Sequence, residues 1–145
     1  MRPMKNCSAK LENWKALPKS FGDRKFRQEV MMDPEFTFAH FKINDGSATI
    51  GGALHGDKVY FGVALCSPED NFSKKTGRAL VQRHIVVDEH SSKRGVFVPS
   101  GDISDIPPAR VLYHILNYHL GRLRRLPTWA KNPVVMFRTR QKLNK

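Results

Sequence analysis

The sequence predicts an α+β domain. A small antiparallel sheet, a three-stranded meander plus one or two further strands, is packed with two main helices. Three observations carry this. Residues 35–66 hold apolar runs with period-two alternation, broken by Asn44-Asp45-Gly46 and His55-Gly56-Asp57, which is strand and hairpin chemistry. Two later stretches, ending near His84 and Leu126, carry apolar residues at helical spacing. The length of 145 residues is enough for one domain with its own core.

The elements follow in chain order. Leu11, Trp14 and Leu17 stand three apart, which predicts a short helix over Lys10 to Leu17, stopped before Pro18. A second short helix is expected over Asp23 to Met32, ended by Asp33-Pro34 because a residue before proline avoids helical backbone. Trp14 and Phe21 are the residues that would tether this region to the core; the alternative is a loosely attached basic arm over residues 1–34 that orders on binding. Glu35 to Ile43 is aromatic-rich. The parity of its large side chains changes near Ala39-His40, which signals either a bulge or a strand covered on both faces. Ser47 to Leu54 places Ala48, Ile50, Gly52 and Leu54 on one face, and Lys58 to Cys66 is the third strand.

The next segment, SPEDNFSKKTGRALVQRH, reads as a turn and a basic helix. Ser67, Pro68 and Asp70 make a start signal resembling a capping box, with Ser73 as a competing start. At 100° per residue, Phe72, Thr76, Ala79 and Leu80 share one side, opposite Lys74, Lys75, Arg78 and Gln82. Gly77 weakens such a helix unless another chain segment must come close to it. Ile85-Val86-Val87 either ends the helix or opens a strand. Gly95 to Val98 is a short strand. A long helix is expected from Pro107 or Pro108 to Leu126, with Val111, Leu112, Ile115, Leu116, Leu120 and Leu123 as its apolar stripe. Asn132-Pro133 introduces an edge strand over Val134 to Arg140, and residues 139–145 form a basic tail.

Charge is unevenly placed. The net charge is +12. Residues 1–28 hold eight Lys/Arg against Glu12 and Asp23, giving +6; residues 29–121 hold nine against eleven acids, giving −2; residues 122–145 hold eight against none, giving +8. Clustered like charges repel, and the usual purpose of that arrangement is an anionic partner. The partner expected is nucleic acid or an acidic host protein. No apolar run approaches the roughly 18 residues of a membrane span, and MRPMKNCSAK lacks the apolar stretch of a secretory signal. No membrane association is expected, and the cytoplasm is the expected place of action. Cys7 and Cys66 form no CxxC or Cys/His pattern, so neither a structural zinc nor any other metal or cofactor is expected.

The candidate contact residues fall in two groups. Arg122, Arg124, Arg125, Arg138 and Arg140 gather around the end of the long helix and beyond it. Arginine's planar fork suits phosphate, and Trp129 among them can stack on a base or serve the core. Favourable placement of cations at a helix C-terminus explains part of that group, but not the basic tail. Lys74, Lys75 and Arg78 form the second group, beside a helix start whose free N–H groups favour phosphate, although Glu69 and Asp70 lie close by.

Six histidines, His40, His55, His84, His90, His114 and His119, show neither HExxH nor HxH. His114 and His119 stand about 140° apart on a helix, and His119 lies within the apolar stripe, as a hydrogen-bonded core histidine would. Acid–base work would need two distant histidines brought together. Asp102 and Asp105 are turn and cap residues unless they seat a magnesium ion. Cys66 stands before a helix start, where a thiol pKa is lowered, yet no partner is fixed beside it. No catalytic residue is assigned.

Cys66 to Arg78, CSPEDNFSKKTGR, resembles a segment of small uncharacterised bacteriophage-encoded proteins: an aliphatic strand ending in C-S-P-x-D-x-F, then a basic pair and a Gly-Arg helix. The resemblance covers about thirteen residues and implies a phage accessory protein without a known activity. The clustered basic charge, with no catalytic residue assigned, gives the expected function: non-enzymatic nucleic-acid binding, or modulation of transcription or replication. The alternatives are an inhibitor that binds an acidic surface of a host nucleic-acid-processing protein or defence complex, and a small histidine-dependent nuclease.

Overall fold

Strand β3 (Gly46–His55) is buried over its first eight residues, because helices cover both faces of the sheet it centres. The computed structural model describes residues 15–17, 21–87 and 91–138. The remaining elements are β1 (Lys15–Leu17), α1 (Arg24–Met31), β2 (Thr37–Ile43), β4 (Lys58–Cys66), α2 (Lys74–Val86), β5 (Arg94–Val98), α3 (Pro108–Arg122) and β6 (Val135–Phe137). The six strands lie in the order β1-β5-β4-β3-β2-β6, and every neighbouring pair is antiparallel. The fold is α+β. The meander β2-β3-β4 is at its centre, extended by three further strands rather than one or two. No helix among the described residues is long and apolar enough to cross a membrane.

One face carries Phe41, Ile43, Ala48, Ile50, Phe61 and Val63 and packs against Val111, Leu112, Ile115, Leu116 and Leu120 of α3. The other carries Ala64 and Val96 and packs against Val81 and Ile85 of α2, with Phe21 and Val30 from the region of α1. The parity change in β2 is now explained. Its register against β3 runs unbroken from Thr37↔Gly52 to Ile43↔Gly46, so there is no bulge. Phe38 serves the α2 face and Phe41 the α3 face.

The small residues of β3 let two helical layers close on it. A Cβ at Gly77 would collide with the Thr49 side chain, so glycine is what permits α2 to lie this close to the sheet. The buried side of α2 is accordingly Gly77, Val81, His84 and Ile85. This corrects the helical-wheel reading: Thr76 and Ala79 are exposed, because the contact is centred on the glycine rather than on the larger apolar side chains. The helix starts at Ser73, whose Oγ accepts from the Thr76 N–H at 3.3 Å. Ser67-Pro68-Glu69-Asp70 is a separate turn, closed by a bond from the Asp70 N–H to the Ser67 carbonyl at 3.0 Å.

Other boundaries also shift. Residues 15–17 pair with β5 instead of ending a helix; residues 10–14, including Trp14, lie outside the described residues. The second short helix forms as α1, with Asp23 Oδ1 accepting from the Phe26 N–H at 2.9 Å. Helix α3 stops at Arg122, not Leu126, because Leu123 takes extended backbone at φ −73°, ψ 133°. Its buried stripe, Val111, Leu112, Ile115, Leu116, His119 and Leu120, agrees with the periodicity, except that Leu123 lies past the helix end and is half-buried. In the β2–β3 hairpin the positive φ falls on Asn44, at 53°, not on Gly46. Gly46 is needed for a different reason: the Trp129 ring lies where its Cβ would be.

Candidate functional site

His40 and Thr49 are cross-strand partners on β2 and β3, and alternation sends both toward the α2 face. The Nδ1 of His40 and the Oγ1 of Thr49 are 2.9 Å apart. Gly77 lies directly over Thr49, and Lys74 and Arg78 flank Gly77 on the same helix, three residues before it and one after. The tight seat of α2 thus fixes where both cations leave the helix. Both residues are at the rim of the contact rather than beneath it, Lys74 exposed and Arg78 half-buried.

The fourth participant comes from the far end of the chain. Strand β6 pairs with β2, and Arg138 follows it immediately. Its Nη1 donates to Ser47 Oγ at 2.7 Å, and its guanidinium carbon stands 4.4 Å from the centre of the Phe72 ring. The Phe72 ring meets His40 edge-on at 5.7 Å. Arg138 is therefore held in place from two directions, and Phe72 links it to the histidine.

The electrostatics agree with this geometry. Burial, then the charges of Lys74, Arg78 and Arg138, hold the His40 imidazole down to about 4. Every charge acting on it is positive, so it is neutral at ordinary pH. Among the described residues no carboxylate pairs with Lys74, Arg78 or Arg138.

Beside this cluster is a cavity of about 230 Å³, lined by Thr49, Ala64, Cys66, Asp70, Phe72 and Leu80 among others. The free thiol of Cys66 borders it. Burial first, and the Asp70 charge second, push that thiol up, with Arg138 opposing. This corrects the expectation of a lowered thiol: the helix starts at Ser73, so its positive end does not lie at Cys66, and the thiol stays protonated. A second cavity, of about 210 Å³, lies between β3 and the start of α3 and is bordered by Leu54, Val59, Ile106 and Val111.

The other candidate residues are dispersed. Lys75 is exposed on α2. Arg122 lies over the Tyr118 ring at 5.6 Å. Arg124 and Arg125 are exposed beyond the end of α3. Trp129 packs against the α3-side core, and its carbonyl accepts from Asn44 Nδ2 at 2.9 Å. Arg140 lies outside the described residues, as does the rest of the basic tail.

The described histidines are spread over both faces of the sheet, and His90 lies outside the described residues. His40 and His84 lie on the α2 face, while His119 lies on the α3 face, where Nε2 donates to the Ser92 carbonyl at 2.7 Å and the ring meets Phe61 at 5.3 Å. His84 Nδ1 donates to the Val63 carbonyl at 2.9 Å. His55 is 2.8 Å from Asp33. No three His, Cys, Asp or Glu among the described residues are placed to hold a metal ion.

Sequence reasoning picked Lys74, Arg78 and Arg138, but it missed His40 as their common neighbour and gave Ser47, Thr49 and Phe72 no part in the site. Two signals were present: a glycine inside a basic helix, and a polar Ser47/Thr49 pair in an otherwise small, apolar strand. No protein-family model matches the chain, and no curated protein and no solved structure matches it.

Proposed function

We propose that this chain is a non-enzymatic nucleic-acid-binding protein that meets phosphate through Lys74, Arg78 and Arg138. One observation carries the reading. Three cations, two from α2 and one from the segment after β6, act on His40, and no carboxylate among the described residues forms an ion pair with them. Holding like charges together costs stability, and an anionic ligand relieves that cost. Arginine fixed by a hydroxyl and an aromatic face presents its remaining donors in a set direction, which favours phosphate oxygens. The basic segment 122–138 adds a wider attractive field. In a phage setting such a protein would act as an accessory factor that modulates transcription or replication.

The test is binding of labelled duplex and single-stranded oligonucleotides across a salt series. If three phosphates are neutralised, log affinity falls against log salt with a slope of about −2 to −3. Replacing Lys74, Arg78 and Arg138 together with alanine should flatten that slope. Binding that is indifferent to salt would remove the proposal. A chain that ignores nucleic acid but retains an acidic protein partner after nuclease treatment would put the inhibitor reading in its place.

A further inference from the structure

We infer that the cluster of Lys74, Arg78 and Arg138 around His40 is a pocket for a phosphate monoester, such as the terminal phosphate of a nucleic-acid strand, and not a track for internal phosphodiesters. The inference rests on the phosphate-binding reading and narrows it.

The first argument is the shape of the charge. A strand backbone carries one negative charge per phosphate, repeated along its length, and a surface that follows it spreads its cations correspondingly. Here Arg138 is fixed beside Phe72, which meets the His40 ring, and the charges of Lys74 and Arg78 act on the same ring. Lys74 and Arg78 bracket Gly77, which is seated on Thr49; Thr49 is bonded to His40; and Arg138 reaches the same ring through Phe72. Three charges around one ring exceed what a single diester neutralises. A monoester carries about −1.5 to −2 near neutral pH and offers three acceptor oxygens, which matches the cluster in charge and in number of acceptors.

The second argument is preorganisation. Ser47 takes one donor of Arg138 and Phe72 supports one face of its guanidinium. Its other donors stay available for a two-oxygen contact with the terminal group. His40 remains neutral, and its Nδ1 is held 2.9 Å from the Thr49 hydroxyl, which fixes the ring beside the cations. The site therefore offers a fixed arginine fork beside an exposed lysine charge.

The test compares one oligonucleotide sequence in three forms, with a 5′-phosphate, with a 3′-phosphate and with hydroxyls at both ends, by fluorescence anisotropy on the full chain. A phosphorylated end should bind about tenfold or more tightly than the hydroxyl form. In Arg138→Ala, and independently in Lys74→Ala, the affinities of the phosphorylated and hydroxyl forms should converge. A nucleoside monophosphate added as competitor separates the two sources of the same chemistry. If it displaces the phosphorylated strand, the monoester alone suffices; if it does not, the strand end is the ligand. Equal affinity for all three oligonucleotides overturns the monoester pocket and leaves nucleic-acid binding standing. Binding of the nucleoside monophosphate through Arg138, with no binding of any oligonucleotide, supports the pocket and overturns the nucleic-acid reading.

Discussion

Gly77 on α2 rests against Thr49 on β3 with no room for a side chain between them. The contact sets the height of α2 above the sheet, and so the positions of Lys74 and Arg78 relative to His40. Replacing this glycine by alanine should therefore do two opposed things. Alanine is the better helix former by about 1 kcal/mol, but the added methyl must displace Thr49 or lift the helix, at about 1–3 kcal/mol. Gly77→Ala is expected to be net destabilising in denaturant titration and to weaken phosphate binding at the same time. A more stable variant with unchanged binding would show that the close seat is not required.

Asn44 fastens the last described segment to the β2–β3 hairpin. Its side chain donates to the carbonyls of Trp129 and Lys131 and accepts from the Val134 N–H at 3.0 Å. Asn44→Gly keeps the positive φ and removes only these bonds. The expected loss is about 1–3 kcal/mol, with faster amide exchange at Val134. Unaltered protection at Val134 would contradict this role.

The depressed His40 value predicts a stability slope in acid. The unfolded imidazole takes its proton near 6.5 and the folded one only near 4. The contribution is therefore complete above about pH 6.5, falls as pH drops through that window, and changes no further below about 4. Because the ring is only half-buried, its size after solvent screening is about 1–2 kcal/mol. The stability difference between the natural chain and His40→Gln should shrink as pH is lowered from 7 to 5. A difference that is constant over that range would mean that the surrounding cations do not act on His40 as described.

His119→Ala should lower the melting temperature, since it empties a buried site beside Phe61 and strips the Ser92 carbonyl of its donor. Binding by the folded protein should be unchanged. Lost binding with normal melting would instead make His119 part of the site.

Charge reversal separates position from total charge. Lys74→Glu with Arg78→Glu should weaken phosphate binding far more, charge for charge, than Lys58→Glu, whose lysine already lies 3.7 Å from Asp57. Equal effects per charge would leave only a diffuse basic field.

The sheet was the more legible half of this protein. Hairpin residues and period-two runs mark the meander, because strand geometry is written locally. The coverage of both faces showed only as a parity change between Phe38 and Phe41. The inward side of α2 was misjudged because a glycine contributes nothing to an apolar stripe, yet here it is the point of closest approach. The short stretch at Lys15–Leu17 has helical spacing but is held by pairing with Val96–Val98, a contact no local pattern encodes. The site failed in the same way. Its cations were individually visible, but Arg138 reaches His40 only through the pairing of β6 with β2, across almost one hundred positions of sequence.

That distance has a consequence during synthesis. All the strands that build the sheet around β3 precede β6 in the chain. The basic helix and its histidine are therefore synthesised before Arg138. Until the final strand docks, the nascent domain presents Lys74 and Arg78 without the arginine that gives them a direction. If the cluster holds an anion as proposed, it is complete only once the last described strand has been made and docked.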